Sequence, residues 1–415
     1  MCRAKRWAVL ICLLAMVVSA CAPAATPTPV VIEKEKIVKE TQVVLVTPTP
    51  VPPTPTPGLP DEIKIGVFEP LTGNIAGLGQ MELMGIKLAN KKRATVLGKP
   101  VRLVITDNKS DKSDAALAMS RLIEVDQVHA VIGSAGSSLA MAGGEVSEKA
   151  GMPVLGASCT SPLVTQGKAH YFRVCFVDTF QGAAGARYAF NNLGAKTAAI
   201  ITDVSTDATF GLSVYFRAEF IKLTGNAKSI LGVISIQGGD RDFRAQLSTI
   251  NSWKPDVVYA PQMYAEAAPM LAQALQLGLT PGLQFLGVDG WDVPELIKIG
   301  GAGTEGAIYT THYHPEAFTH PEAKEFLQSF RQEYNSEPSK NAALGYDAYL
   351  LLLDAIERAG SLNREAITTA LSETKDFVGC AGSITLGADH NARKPVVVLR
   401  VKGGKTVVDG ITEPF

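Results

Sequence analysis

The sequence predicts an α/β protein made of two lobes, each a doubly wound parallel sheet covered by helices. Three observations lead there. Short apolar runs alternate with helix-period segments, the pattern of βαβ units. A second series of strands restarts near Lys196, after the first is complete. The 355 residues from Asp61 to Phe415 are enough for two lobes of ordinary domain size.

The first series opens with an apolar run at Ile63 to Phe68, a helix around Glu82 to Lys92 and a strand at Val101 to Thr106. Ser113 or Asp114 then caps a helix in which Ala115, Ala118, Met119, Leu122 and Ile123 repeat at helical spacing. Strand Ala130 to Ile132 follows, then a small-residue loop, a helix to Ala150 and a strand at Pro153 to Leu155. The second series has strands at Lys196 to Thr202, Ile230 to Ser235, Asp256 to Tyr259 and Gln284 to Gly287. Runs this apolar fit parallel strands buried on both faces.

Before Asp61 the chain has a different character. Arg3, Lys5 and Arg6 precede 12 apolar residues, Trp7 to Val18, a core too short to span a membrane comfortably and suited to a secretory signal. Val18-Ser19-Ala20-Cys21 resembles a bacterial lipobox. That resemblance implies removal of residues 1–20 and acylation of Cys21 as the new N-terminus. Ten of the 24 prolines then fall between Ala22 and Pro60, mostly in Thr-Pro repeats. Proline lacks a backbone donor and favours extended polyproline II, so residues 21–60 read as a semi-rigid tether. At about 3.1 Å per residue it would reach up to roughly 100 Å from its lipid. Within it, residues 31–46 fit a short helix, a strand or solvated chain equally well. A lipidated residue and a stalk imply a protein held on a membrane and working outside it.

A formal charge of −1 gives no reason to expect nucleic acid as a partner. Of six cysteines, Cys159, Cys175 and Cys380 remain after the lipidated residue. Their spacing matches no zinc motif, they allow at most one disulfide, and most are expected to be buried small residues.

Ligands of open α/β sheets sit beyond the carboxyl ends of the strands. Three such ends are informative. Gly133 to Ser138 leads into a helix, with glycines that admit a ligand to the backbone and serine hydroxyls beside a helix N-terminus that favours an anion. Gly156 to Pro162 is a second run of small and hydroxylated residues. Val288-Asp289-Gly290-Trp291 sets an acid beside an aromatic. Donors for a carboxylate on one lobe and an acceptor for an ammonium on the other describe an amino-acid site, although Asp-Gly and small residues are also ordinary turn chemistry.

Asp61 to Phe415 resembles the periplasmic-binding-protein type I family, specifically the leucine/isoleucine/valine-binding proteins of ABC importers. The resemblance rests on Ile63-Lys64-Ile65-Gly66 with Pro70-Leu71-Thr72-Gly73, on Val131-Ile132-Gly133 with Ser137-Ser138, and on Thr160-Ser161-Pro162. Phe172-Arg173-Val174 with Gln181-Gly182, and Tyr346-Asp347-Ala348 opening an apolar helix over Tyr349 to Ile356, continue the same order. It implies two lobes joined by a three-segment hinge, near Val177–Thr179, Tyr309–His312 and Ala381–Ile384. Lobe 1 would hold residues 61–178 and 311–382, and lobe 2 residues 179–310 and 383–415.

By the same resemblance, Ser137 binds the ligand carboxylate, Ser158 and Thr160 meet the carboxylate and ammonium, and Asp289 faces the ammonium. Tyr264 falls at an aromatic position of the second lobe. Phe210 and Leu78 stand where tyrosine is frequent, which removes two hydroxyls and leaves the ligand's side chain open. Trp291 either lines the side-chain pocket or is a structural tryptophan. Gly136 stands where some relatives have a cysteine of a disulfide.

Catalysis finds no support. The chain shows no nucleophile elbow at Gly133 to Ser138, no Gly-x-Gly-x-x-Gly after its first strand and no Walker A motif. His312 and His314 form a His-x-His pair near a hinge, suited to weak metal binding but read as surface residues in a turn; Asp240, Arg241 and Asp242, in form an acid–base cluster, read as a solvated helix start. The expectation is a monomeric, extracytoplasmic lipoprotein without cofactor, passing an aliphatic or branched-chain amino acid to an ABC permease and its ATPase. A sensory protein of the same fold, or an importer component for an amide, a urea-like compound or an aromatic acid, is the alternative.

Overall fold

The computed structural model describes residues 58–415. The signal of residues 1–20, Cys21 and nearly all of the tether, with its segment 31–46, lie outside the described residues.

The first lobe begins with β1 (Ile63–Glu69), α1 (Ala76–Lys92), β2 (Thr95–Val96), β3 (Lys99–Asp107) and α2 (Lys112–Glu124). It continues through β4 (Ala130–Ile132), α3 (Ser137–Lys149), β5 (Val154–Gly156) and β6 (Tyr171–Arg173). The strands form one sheet in the order β2-β3-β1-β4-β5-β6, parallel except for the β2–β3 hairpin. Alternation along β1 sends Ile63, Ile65 and Val67 to one core and Phe68 to the core on the opposite face. The helix expected from Ser113 or Asp114 starts slightly earlier: Asp111 is the cap, accepting from the amides of Ser113 (2.7 Å) and Asp114 (3.1 Å).

The second lobe holds α4 (Asp178–Asn191), β7 (Ala198–Asp203), α5 (Asp207–Thr224), β8 (Ile230–Ile236), α6 (Arg244–Trp253), β9 (Val257–Tyr259), α7 (Tyr264–Gln276), β10 (Gln284–Gly287), α8 (Pro294–Gly300) and β11 (Ile308–Thr311). Residues then return to the first lobe as α9 (Pro321–Tyr334), α10 (Lys340–Ala359), α11 (Arg364–Ser372), β12 (Phe377–Gly379), β13 (Gly382–Leu386) and β14 (Ala392–Arg393). The chain ends with β15 (Val396–Lys402) and β16 (Lys405–Thr412), which complete a second sheet ordered β16-β15-β11-β10-β9-β7-β8. That C-terminal pair is antiparallel, an addition the strand–helix alternation did not announce.

Two expectations change. The third crossing was placed at Ala381–Ile384, but Ile384, Leu386 and Ala392 are buried in the first lobe's core. The small sheet of β12, β13 and β14 therefore stays with that lobe, and the chain crosses at Lys394 and Pro395, just before β15. His312 is no surface residue: it is buried at the second crossing and its ring stacks on Phe176 at 3.6 Å between centroids. His314 beside it is half-buried.

The helix expected over Tyr349 to Ile356 is longer, running from Lys340 with Ser339 as its cap. It lies against α1 with glycines at the crossing. A Cβ on Gly85 would sit 1.9 Å from the Ala342 carbonyl oxygen, and one on Gly345 would sit 2.4 Å from that of Glu82. This close approach carries the start of α10 to the edge of the interlobe region. Among the described residues no helix is long and apolar enough to cross a membrane.

Candidate functional site

The first-lobe half of the site hangs from the carboxyl ends of β1, β4 and β5. After β4, the amide of Ala135 donates to Glu69 Oε2 at 2.7 Å and the Tyr171 hydroxyl donates to the Gly133 carbonyl at 2.7 Å. These bonds hold the loop so that α3 begins at Ser137, whose Oγ accepts from the amide of Ser161 at 3.1 Å. After β5, the fully buried Arg173 donates to the carbonyls of Cys159 and Ser161 and to Thr165 Oγ1. A guanidinium with its donors spread over one loop fixes that loop's path. The carbonyl of Thr160 in turn accepts from the amide of Asp178, at the first crossing, at 3.1 Å. The loop of Leu71 and Thr72, ahead of Leu78, is tied down by Asp107, which accepts from both amides and from the Thr72 hydroxyl.

Beneath these loops lies a carboxyl pair that sequence reasoning missed. Ser158 Oγ donates to Glu82 Oε1, and Asn341 Nδ2 donates to Glu82 Oε1 (3.1 Å) and to Ser158 Oγ (3.0 Å). The Ser158 hydroxyl thus spends its proton inward. Burial pushes the Glu82 carboxyl up to about 7, although Ser158 and Asn341 pull the other way. Burial, with Glu82 beside it, pushes Glu69 well above the ordinary range, so both carboxyls resist ionisation. Asp178 is also raised to about 7, by burial and then by the nearby charge of Asp289, against the hydrogen bond from Thr160.

A folded-state carboxyl raised above its unfolded value of 4.5 keeps its proton longer in the folded protein. Its stabilising contribution is full below the unfolded value and fades as pH rises through about 7. Thermal stability is therefore expected to fall from about pH 5 to about pH 8, and Glu82→Gln to flatten that fall. An unchanged pH profile in Glu82→Gln, followed by calorimetry, contradicts a raised Glu82 carboxyl.

In the second lobe, Asp289 follows β10 in a short turn, with its side chain 23% exposed. Its Oδ1 accepts from Gln181 Nε2 at 3.1 Å. Its Oδ2 lies 3.1 Å from Lys340 Nζ, and its carbonyl accepts from the same ammonium. Burial opposes ionisation of Asp289, but Lys340 and Gln181 outweigh it and hold the carboxyl below its usual value. His312 Nε2 is 3.7 Å away, yet burial, aided by Lys394 and Lys340, keeps that ring neutral.

The other expected residues separate into groups. Tyr264, the first residue of α7, is half-buried and faces the second lobe's core in part. Phe210 in α5 is 52% exposed, and Leu78 in α1 is half-buried. Trp291 is fully buried in the second lobe's core, packed over Gly287 with its Nε1 donating to the Gln262 carbonyl at 2.9 Å. Of its two readings, the structure gives it the structural one. Lys340, Asn341, Glu82 and Gln181 were missed. Their only sequence signal was polarity inside otherwise apolar helices. Asp240 is half-buried and Asp242 exposed, Asp242 pairing with Arg244 at 2.7 Å as a helix start does.

Two α/β lobes joined by three crossings, with polar loops at the strand ends, are the architecture of a bilobal binding protein. The chain belongs to the periplasmic binding protein family, whose sequence profile matches residues 62–405. It is similar to the solved structure of a leucine binding protein, LivK, from Thermotoga maritima: 43% identity, TM-score 0.76, 85% of this chain and 99% of that one. It also resembles the branched-chain amino acid transporter substrate binding protein LivJ from Streptococcus pneumoniae, solved with isoleucine (30% identity, TM-score 0.74, 85% and 99% covered). An ABC transporter solute binding protein from R. palustris, solved with benzoate, is a third (25% identity, TM-score 0.71, 85% and 97% covered).

Proposed function

We propose that the protein is a lipid-anchored, extracytoplasmic binding protein that captures an amino acid with an aliphatic side chain between its lobes and delivers it to an ABC import permease. The observation that carries this reading is the opposition of two kinds of group. Ser137 at the start of α3, with the loop of Thr160, offers donors to a carboxylate on the first lobe. Asp289, ionised and anchored by Gln181, offers an acceptor to an ammonium on the second. The likeness to leucine- and isoleucine-binding proteins supports an aliphatic ligand. Closure of the lobes would bury the ligand's charges among fixed partners, and the closed form is what a permease can distinguish from the empty one.

The test is calorimetric titration of the full chain in detergent, unfolded and refolded beforehand to strip any ligand carried through purification. Sub-micromolar binding of leucine, isoleucine or valine is the expected result. Silence across all amino acids, with heat from an aromatic acid, would retain the fold and overturn the reading of Asp289. One observation favours that second reading, a carboxylate ligand without an amine: Asp289 already has a cation, Lys340, at 3.1 Å.

Anchoring has its own test. Cys21→Ser is expected to leave ligand affinity unchanged and to release the protein from membranes, followed by fractionation of expressing cells. Continued partition of the variant with membranes contradicts lipidation at Cys21.

A further inference from the structure

Lys340 occupies a position that its own helix does not favour. It is the first residue of α10, a 20-residue helix, where a positive charge opposes the helix dipole. Its ammonium instead reaches across to the second lobe, to the carboxylate and carbonyl of Asp289, with the side chain only 10% exposed. Among the described residues this is the one lysine or arginine ion pair that joins the lobes; every other such pair lies within a lobe. The neighbouring residue, Asn341, bonds to Ser158 and Glu82 under the first-lobe loops, so one helix start touches both halves of the site.

We infer that Lys340 is a specificity-determining residue of the cleft, a tethered cation that competes with the ligand's ammonium for Asp289. The inference rests on the amino-acid reading above. Asp289 presents one carboxylate, and Gln181 already fills part of its Oδ1. The lysine is held at high local concentration because its chain is part of the protein. A free amine must displace it with no other anchor and loses that contest. An amino acid is anchored at the same time by its carboxylate on the first lobe, so its ammonium arrives with a comparable advantage and takes the lysine's place. The pairing thus rejects simple amines while admitting amino acids, a selection achieved by an opposing interaction within the protein.

The experiment is calorimetric titration of the full chain and of Lys340→Met and Lys340→Arg, using L-leucine and 3-methylbutan-1-amine, which is leucine without its carboxylate. Lys340→Met relieves the helix start of an unfavourable charge but leaves Asp289 with Gln181 alone, so a urea titration of each variant runs beside the calorimetry. Leucine affinity is expected to rise about tenfold in Lys340→Met, the scale of a partly exposed ion pair. Binding of the amine should become measurable only in that variant, and Lys340→Arg, which keeps the charge, should still exclude the amine. Unchanged or weaker leucine binding by Lys340→Met, with the parent binding leucine well, overturns the competition and leaves the amino-acid reading intact. Failure of the parent and both variants to take up leucine, isoleucine or valine overturns the amino-acid reading, and the competition with it.

Discussion

Asp289→Asn is expected to lose amino-acid affinity by about a hundredfold or more while the protein stays folded. The substitution keeps the shape of the side chain and an acceptor for Gln181, which now donates at 3.1 Å. What disappears is the negative charge, held ionised by Lys340 and Gln181 against burial. A ligand ammonium facing an amide instead of a carboxylate gives up its water without an ionic partner in return. The folding cost is moderate, about 1–2 kcal/mol, because the Lys340 ammonium loses its ionic partner but keeps the Asp289 carbonyl as an acceptor. Calorimetry with leucine and a urea titration measure the two effects separately. Binding within about threefold of the parent would show that Asp289 does not meet the ligand's cation.

The largest effect on stability is expected at Gly85. A valine there would drive its Cβ to within 1.9 Å of the Ala342 carbonyl oxygen, an overlap with backbone that no rotamer relieves. The α1–α10 crossing must open, at a cost of about 3 kcal/mol, seen as a lower urea midpoint. The consequence is not confined to folding. Lys340 and Asn341 stand one helical turn or less from Ala342, and Glu82 is one turn from Gly85 on the opposing helix. Moving the helices apart pulls Asn341 from Glu82 and Ser158, and Lys340 from Asp289. Gly85→Val should therefore bind its ligand more weakly even at temperatures where it remains folded. An unchanged urea midpoint would mean that the two helices have room the structure does not show.

Much of the fold was legible because parallel strands buried on both faces are continuous apolar runs, and such runs have little else to do. Strands β4 and β10 lie where the pattern put them, at Ala130–Ile132 and Gln284–Gly287. The start of α10 was not legible. The helix expected over Tyr349 to Ile356 left out Lys340 and Asn341, which are its first turn, made polar by the groups across from them. The third crossing came from the family resemblance alone, and the packing of Ile384, Leu386 and Ala392 keeps β13 and β14 in the first lobe beyond the point it implied. The acids at strand and helix ends divided likewise. Asp289 stood out beside a turn glycine, while Glu69 and Glu82 were hidden inside elements, and only the sheet brings them together beneath one loop.

Cys159, Cys175 and Cys380 are all free and all buried, and all three belong to the first lobe. Burial raises the Cys175 and Cys380 thiols well above their ordinary value, which keeps them from the thiolate form that attacks a disulfide. The native state of residues 58–415 thus closes without a single covalent cross-link, and its thiols become inaccessible as soon as the first lobe forms. Closure of residues 58–415 therefore calls for no oxidising enzyme or redox buffer, and these residues can reach the same structure in an oxygen-free cell as in an aerated one.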